Sequence, residues 1–304
     1  MNFTVTTSPA LSPPVRTIMI GAMLAMGCLI SLAPCYAIEP DEQVTYKTIG
    51  DVELKLDVFR PAEHESTDRV PAIVFFFGGG WNGGSTSQFH EQARHFADLG
   101  MMAFSANYRV RSRNKTTPFE CVADGKSAIR WVRQHAEELG IDPNKIVASG
   151  GSAGGHVAAC TGVIEGYDEK SEDLTISSVP NAMVLYNPVI DTTADGYGLK
   201  SVGAERQTDI SPCHHVGAGI PPTLILHGTD DTTVPYENAT RFTRLMNESG
   251  NRCELVSFAK QGHGFFNSKS FRPKTKDLSH YERAMKATDQ FLASLGYLGQ
   301  DEAQ

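Results

Sequence analysis

The chain has 304 residues, of which 40% are hydrophobic and 20% are charged, and this composition is sufficient for one large α/β domain. The formal net charge is −8, so we expect no basic surface of the kind that binds nucleic acid or an anionic membrane. A small neutral substrate is more compatible with this charge than a polyanion.

The first 37 residues have the pattern of an export signal. Arg16 precedes an apolar segment over residues 17–32, and no acidic residue occurs before Glu39. A retained N-terminal anchor is the alternative, although the apolar run is shorter than the ~20 residues that a membrane span needs. We therefore predict a signal peptide over residues 1–37 and one domain over residues 38–304, secreted or periplasmic and without stable membrane insertion.

The predicted domain begins with two short strands, over residues 44–48 and 52–59. Gly50 and Asp51 separate them, as in a tight turn. The second strand alternates apolar and charged residues, which is the period of a half-exposed strand. An antiparallel hairpin at the edge of a sheet is the expected structure.

Apolar runs then alternate with segments of helical spacing. The runs predict buried strands over residues 72–77, 101–106, 146–148, 182–186, 223–227 and 253–258. Helices are predicted over residues 88–99, 119–139, 156–160, 237–247 and 281–295. This alternation predicts a mostly parallel sheet that is flanked by helices. Residues 187–222 show few periodic signals, so we expect a small cap or none.

A glycine-rich turn around Ser152 joins one of these strands to the following helix. Glycines at 150, 151, 154 and 155 permit the sharp turn of a nucleophile elbow, which lifts the Ser152 hydroxyl above the sheet. The helix that follows favours negative charge beside the serine. A turn that binds phosphate, or that only packs tightly, is the alternative interpretation.

An elbow serine needs a base and an acid later in the chain. Asp231 follows the strand at 223–227, and His263 lies between two glycines after the last strand. By itself, each is more often an ordinary turn or loop residue. Their occurrence at two strand ends, in the order serine, aspartate, histidine, favours the catalytic triad of an α/β-hydrolase.

Donors for an oxyanion are also present. Gly78, Gly79 and Gly80 directly follow a buried strand and offer backbone N–H groups without side chains, and the N–H of Ala153 is a further donor. The alternative is that these glycines only permit a tight turn of the loop and bind nothing.

These motifs resemble the secreted esterase/lipase branch of the α/β-hydrolase superfamily, which includes acetyl-esterase-like and hormone-sensitive-lipase-like enzymes. The resemblance covers residues 45–295 and is carried by Gly78-Gly79-Gly80-Trp81, Asn107-Tyr108-Arg109, the glycine-rich segment at 150–155, His227-Gly228 with Asp231 and Val234-Pro235, and Gly262-His263-Gly264. It implies the α/β-hydrolase fold, with Ser152 as nucleophile, His263 as base, Asp231 rather than Asp230 as the orienting acid, and Gly79, Gly80 and Ala153 as oxyanion donors. The chain departs from the family at Phe77, where a histidine is usual.

The expected function is therefore that of an exported serine carboxylesterase that acts through an acyl-enzyme, without a metal or organic cofactor. Polar residues such as Asp191 and Thr192 in the segment 187–222 suggest short-acyl esters, and acetylated carbohydrate is the expected polymer-derived substrate. The alternatives are a serine peptidase of the same superfamily and an inactive binding protein on the same scaffold. The sequence predicts neither the oligomeric state nor any disulfide pairing.

Overall fold

An antiparallel hairpin of β1 (Glu42–Ile49) and β2 (Val52–Phe59) forms one edge of the sheet, as the sequence predicted. The computed structural model describes residues 1–6, 8–10 and 38–299. The predicted signal peptide lies largely on residues 11–37, outside the described residues, and it remains a prediction.

Six further strands complete the sheet. They are β3 (Val70–Phe76), β4 (Met102–Ala106), β5 (Ile141–Gly151), β6 (Ala182–Tyr186), β7 (Thr223–Gly228) and β8 (Cys253–Phe258). The strand order is β1-β2-β4-β3-β5-β6-β7-β8. Strand β2 pairs with β4 in the antiparallel sense, and all pairs from β4 to β8 are parallel. The predicted α/β architecture is confirmed.

Helices cover both faces of this sheet. They are α1 (His90–Asp98), α2 (Arg111–Asn114), α3 (Pro118–Gln134), α4 (Ala153–Val163), α5 (Leu199–Val202), α6 (Tyr236–Glu248) and α7 (Ser279–Ser294). Buried side chains of α3, α4 and α6 pack in one hydrophobic core, whereas those of α1 and α7 pack in a second core across the sheet. Among the helices of the described residues, none combines the length and apolarity that a membrane crossing requires.

Helix α3 ends at Gln134, earlier than the predicted end at Leu139. The chain beyond it forms turns in which the Ile141 N–H donates to the Ala136 carbonyl at 2.7 Å. The Gly140 carbonyl then accepts from the Val70 N–H at 3.0 Å, which joins the turn to the beginning of β3. This pairing with the sheet ends the helix before its apolar pattern does.

The segment between β6 and β7 contains only short pieces of helix. Besides α5 it forms single 3₁₀ turns at Ala204–Arg206 and Pro212–His214. The expectation of a small cap therefore holds. Its role at the site is described below.

Candidate active site

Ser152 stands between β5 and α4 in a strained backbone conformation, with φ of +57° and ψ of −122°. Residues other than glycine rarely adopt this region of φ and ψ, which here directs the hydroxyl away from the sheet. The turn is tight because a Cβ at Gly154 would lie 2.0 Å from the Phe76 carbonyl oxygen. The Ser152 N–H donates to the Tyr186 carbonyl at 2.9 Å, which fixes the turn on the neighbouring strand.

The sheet brings the predicted base and acid to this serine. Strands β5, β7 and β8 are parallel, so the loops after them meet at one edge of the sheet. His263 Nε2 lies 2.9 Å from Ser152 Oγ, and His263 Nδ1 lies 2.7 Å from Asp231 Oδ2. The Asp230 side chain is exposed and accepts from the Thr229 hydroxyl at 3.0 Å. The geometry therefore selects Asp231 as the partner of His263.

The Asp231 carboxylate is held by four donors. Its Oδ1 accepts from the backbone N–H groups of Thr233 at 2.8 Å and Val234 at 3.0 Å. Its Oδ2 lies 2.7 Å from His263 Nδ1 and 3.3 Å from His227 Nε2. Burial raises the pKa of Asp231, but the hydrogen bonds from His227, His263 and Val234 outweigh it and hold that pKa well below its usual range. The carboxylate is therefore charged at neutral pH.

His227 is a functional residue that the sequence analysis used only as part of a motif. Its Nε2 lies 3.1 Å from the Val234 carbonyl oxygen, which can only accept, so this nitrogen carries the proton. The same N–H faces Asp231 Oδ2. His227 is fully buried, and its N–H faces the same carboxylate oxygen that His263 contacts, so it helps to hold the Asp231 carboxylate in place.

The glycine loop after β3 presents two unpartnered amides beside the serine. Gly79 and Gly80 have φ of +132° and +60°, and a Cβ at Gly79 would lie 2.3 Å from the Gly83 carbonyl oxygen. Both glycines line the same cavity as Ser152, and Ala153 begins α4 directly after it. Within the part of the chain that the structure describes, the N–H groups of Gly79, Gly80 and Ala153 donate to no other residue. These three donors are thus available to an oxyanion.

Aromatic packing supports the loop at Phe77, where the family usually has histidine. The Phe77 ring stacks on Tyr108 with 4.2 Å between centroids and 13° between planes. The Tyr108 hydroxyl donates to the Phe77 carbonyl at 2.5 Å. A Cβ at Gly84 would lie 2.3 Å from the Phe77 ring, so the returning loop lies directly against it. Phe77 therefore braces the loop by packing rather than by a side-chain hydrogen bond.

A chain of amide hydrogen bonds joins the glycine loop to the histidine loop. The Gly78 N–H donates to Gln88 Oε1 at 2.7 Å, and Gln88 Nε2 donates to Asn267 Oδ1 at 2.7 Å. Asn267 Nδ2 then donates to the Gly264 carbonyl at 2.8 Å. Both side chains are buried. This amide chain links the loop of the oxyanion donors to the loop of His263, and no local sequence signal indicated it.

The cavity above Ser152 has a volume of about 400 Å³. Tyr197 lines it from the segment between β6 and β7, while Phe266, Phe271 and Arg272 line it from the segment after β8. Asp191 and Thr192, which we expected to limit the acyl chain, are instead fully buried. Asp191 Oδ1 accepts from the Thr193 N–H at 2.9 Å in a local turn, so its polarity serves the turn and not the cavity.

Two further features of the described chain bear on the site. No group of three or more His, Cys, Asp or Glu side chains in residues 38–299 is arranged to hold a metal ion. Among the same residues the cysteines at 121, 160, 213 and 253 are buried free thiols, and burial raises the pKa of Cys213 and Cys253 to about 12.

Comparison with known families yields two overlapping matches. The profile of the BD-FAE family matches residues 56–202, and that of the dienelactone hydrolase family matches residues 181–296. The first match contains Ser152, and the second contains Asp231 and His263.

Curated relatives carry esterase names. The probable carboxylic ester hydrolase LipM of Mycobacterium tuberculosis is 29% identical over 221 residues, which are 66% of this chain and 50% of LipM. An acetylxylan esterase of Xylanibacter ruminicola is 26% identical over 258 residues, which are 80% of this chain and 50% of that enzyme. The match thus spans half the length of these relatives.

A solved esterase matches over almost its full length. Thermogutta terrifontis esterase 2, in a structure phosphoramylated by tabun, is 49% identical, with a TM-score of 0.80 over 85% of this chain and 96% of that chain. Its propionate-bound structure is 48% identical, with a TM-score of 0.80 over 85% of this chain and 95% of that chain. The chain therefore belongs to the esterase branch of the α/β-hydrolase superfamily.

Proposed function

We propose that the protein is a serine carboxylesterase that hydrolyses short-acyl esters. The observation that carries the proposal is the continuous hydrogen-bonded chain from Ser152 through His263 to Asp231, at 2.9 and 2.7 Å. This arrangement opens into a cavity beside unpartnered backbone donors. An inactive binding protein has no need for such a chain. A peptidase of the same superfamily usually has a large gating domain, and residues 38–299 contain only the short segment between β6 and β7.

The reaction follows from these contacts. Ser152 Oγ attacks the ester carbonyl while His263 Nε2 takes its proton, and the Asp231 carboxylate stabilises the resulting imidazolium. The N–H groups of Gly79, Gly80 and Ala153 bind the oxyanion, and one such donor typically contributes ~3–4 kcal/mol to the transition state. His263 then protonates the leaving alcohol oxygen, which leaves an acyl-enzyme. Water activated by His263 hydrolyses this intermediate and restores Ser152.

Short acyl groups, including acetyl groups on carbohydrate, are the proposed substrates. The propionate-bound relative and the match to an acetylxylan esterase support this choice. The cavity of about 400 Å³ must hold part of the alcohol as well as the acyl group, which leaves limited room for a long chain.

A panel of p-nitrophenyl esters from acetate to decanoate, measured beside acetylated xylan, tests the proposal. We expect kcat/KM to be highest for acetate to butyrate and to fall toward decanoate, with acetate released from the xylan. The Ser152→Ala variant is the control and should be inactive on every ester. Activity that rises steadily with chain length would contradict the short-acyl assignment, and activity retained in Ser152→Ala would contradict the mechanism.

Export through cleavage of residues 1–37 remains part of the proposal. The acid-free, apolar pattern of that segment supports it. N-terminal sequencing of the protein recovered from medium or periplasm is the test, and we expect the sequence to begin at Ile38. An intact N-terminus in the membrane fraction would favour a retained anchor instead.

A further inference from the structure

Arg272 brings an unpaired positive charge into the cavity above Ser152. Its side chain lines this cavity and also a smaller one beside His263. In residues 38–299 no carboxylate lies within ion-pair distance of its guanidinium, and its side chain makes no hydrogen bond there. The guanidiniums of Arg109 and Arg130, by contrast, bind carboxylates at 2.7 and 2.5 Å.

The surroundings of Arg272 do not neutralise it. None of the residues that line the cavity of Ser152 is acidic. Three exposed lysines, Lys269, Lys274 and Lys276, flank Arg272 in the chain, and the described residues offer them no ion pair either. Asp277 is the first acid that follows, and its carboxylate accepts from the Ser279 N–H at 2.9 Å. Two carboxylates of residues 38–299 occur in the same region, since Asp277 lines the smaller cavity with Arg272 and Glu91 accepts from the Ser270 hydroxyl, but neither forms an ion pair with the Arg272 guanidinium. Among the described residues, the lining of the Ser152 cavity therefore contains one guanidinium and no carboxylate, although the whole chain has a net charge of −8.

The position of Arg272 corresponds to the leaving-group side of the site. His263 Nε2 gives its proton to the leaving alcohol, so the alcohol lies on the histidine side of the scissile bond and the oxyanion lies on the side of Gly79 and Gly80. Arg272 lies against the residue that follows the histidine: a Cβ at Gly264 would be 2.8 Å from one terminal nitrogen of its guanidinium and 2.9 Å from the other. The absence of a side chain at Gly264 lets the guanidinium lie against the backbone there.

We propose that Arg272 binds a carboxylate on the alcohol portion of the substrate, so that the preferred esters are short-acyl esters of acidic alcohols such as uronic acid sugars. This inference rests on the esterase function proposed above and specifies its substrate class. A planar guanidinium with no internal partner can donate two parallel hydrogen bonds to a carboxylate, and a substrate in the cavity excludes part of the competing water. The flanking lysines add attraction of longer range, which salt screens.

Paired substrates of equal shape test the inference. We would measure kcat/KM for 4-acetoxybutanoate and for its neutral analogue 4-acetoxybutanamide, which have nearly the same shape but differ in the charge of the distal group and in the NH2 donor that replaces one accepting oxygen. The wild type should prefer the carboxylate. In Arg272→Gln the ratio of the two values should fall about three- to ten-fold, the range for a charge-assisted hydrogen bond at a partly solvated site. Because both kcat/KM values are measured on the same variant, a general effect of the substitution on folding or on Ser152 changes both equally and cancels in their ratio.

Two variants serve as controls. Arg272→Lys keeps the charge without the planar fork and should retain part of the preference. Lys276→Gln removes a cation of the same segment that does not line the cavity, and it should leave the ratio near the wild-type value.

Three results would overturn the inference. The first is an equal ratio in wild type and Arg272→Gln. The second is a ratio that falls as far in Lys276→Gln as in Arg272→Gln, since the effect would then be general attraction. The third is a charge preference only when the carboxylate is on the acyl portion, as in monoethyl succinate against ethyl succinamate. If the wild type hydrolyses neither acetate ester, the proposed esterase function itself is contradicted. If it hydrolyses both equally well, only the inference about Arg272 is contradicted.

Discussion

Removal of Gln88 should separate the effects of the amide chain from those of the catalytic triad. In Gln88→Ala the Gly78 N–H and Asn267 Oδ1 each lose a partner that lies at 2.7 Å. Each unsatisfied buried group costs about 1–3 kcal/mol. Water from the adjacent cavity can reach the vacated space, so we expect the low end of the sum, a loss of about 2–3 kcal/mol in the free energy of unfolding.

The effect on catalysis should exceed what stability alone explains. Without Gln88 the glycine loop is no longer fixed to the loop of His263, and a displaced oxyanion donor lowers kcat. A misplacement of this kind typically costs up to about 10²-fold, so we expect kcat on p-nitrophenyl acetate to fall about 10- to 100-fold while KM changes little. Urea unfolding and steady-state kinetics under conditions where the variant is folded measure the two quantities separately.

Gln134→Ala, at the exposed end of α3, is the matched control for loss of a glutamine side chain. Asn267→Ala and the double variant Gln88→Ala/Asn267→Ala complete a double-mutant cycle. Because Gln88 and Asn267 share a hydrogen bond, their effects on kcat should be strongly non-additive. Additive effects, or a Gln88→Ala variant as active as Gln134→Ala, would refute a positioning role for the amide chain.

Two other predictions concern charge. Asp231→Asn should lower kcat by ~10³–10⁴ in a folded protein, because the amide no longer favours the reactive tautomer of His263. Asp230→Asn, the matched exposed control, should change kcat little, and the opposite outcome would reassign the acid. Burial lowers the pKa of His156 from 6.5 to about 4, so the unfolded chain binds the extra proton in this interval and stability falls as the pH drops below 6.5. The loss due to this group between about pH 7.5 and about pH 5 is about 2 kcal/mol. Urea titrations at the two pH values should show that His156→Gln loses about 2 kcal/mol less of its free energy of unfolding than the wild type does. The variant His214→Gln, an exposed control, should lose as much as the wild type. Equal losses in wild type and His156→Gln would contradict the assignment.

Local patterns predicted most of the fold and the positions that meet at the site. An unbroken apolar run located β6 at its observed bounds, since a strand covered on both faces needs apolar residues throughout. The edge strand β8 was also located at its observed bounds, although its sequence includes Glu254 and Ser257. The glycines around Ser152 predicted the turn because only residues without Cβ fit against the Phe76 carbonyl. Chain order and the positions at strand ends then paired Ser152 with His263 and with an aspartate, and the family resemblance favoured Asp231 over Asp230.

Features that depend on residues far apart in the sequence were not predictable in this way. Gln88 and Asn267 are 179 positions apart, and an amide side chain shows no preference for a partner until the fold brings one near. Asp191 and Thr192 were expected to restrict the acyl chain, but polar side chains also satisfy buried turns, which composition cannot distinguish. The net charge favoured a neutral substrate, and this stays a prediction, because a sum over the chain contains no information about the position of a single cation such as Arg272.

Labelling with a fluorophosphonate probe tests the central claim most directly, since the probe reacts with a serine only when a base activates it and an oxyanion hole receives its phosphonyl oxygen. Mass spectrometry of the labelled, digested protein should find one modified peptide, with the probe on Ser152, and no labelling in Ser152→Ala. A folded wild-type protein that remains unlabelled, or that carries the probe on another residue, would contradict the assignment of Ser152, His263 and Asp231 as an active catalytic triad.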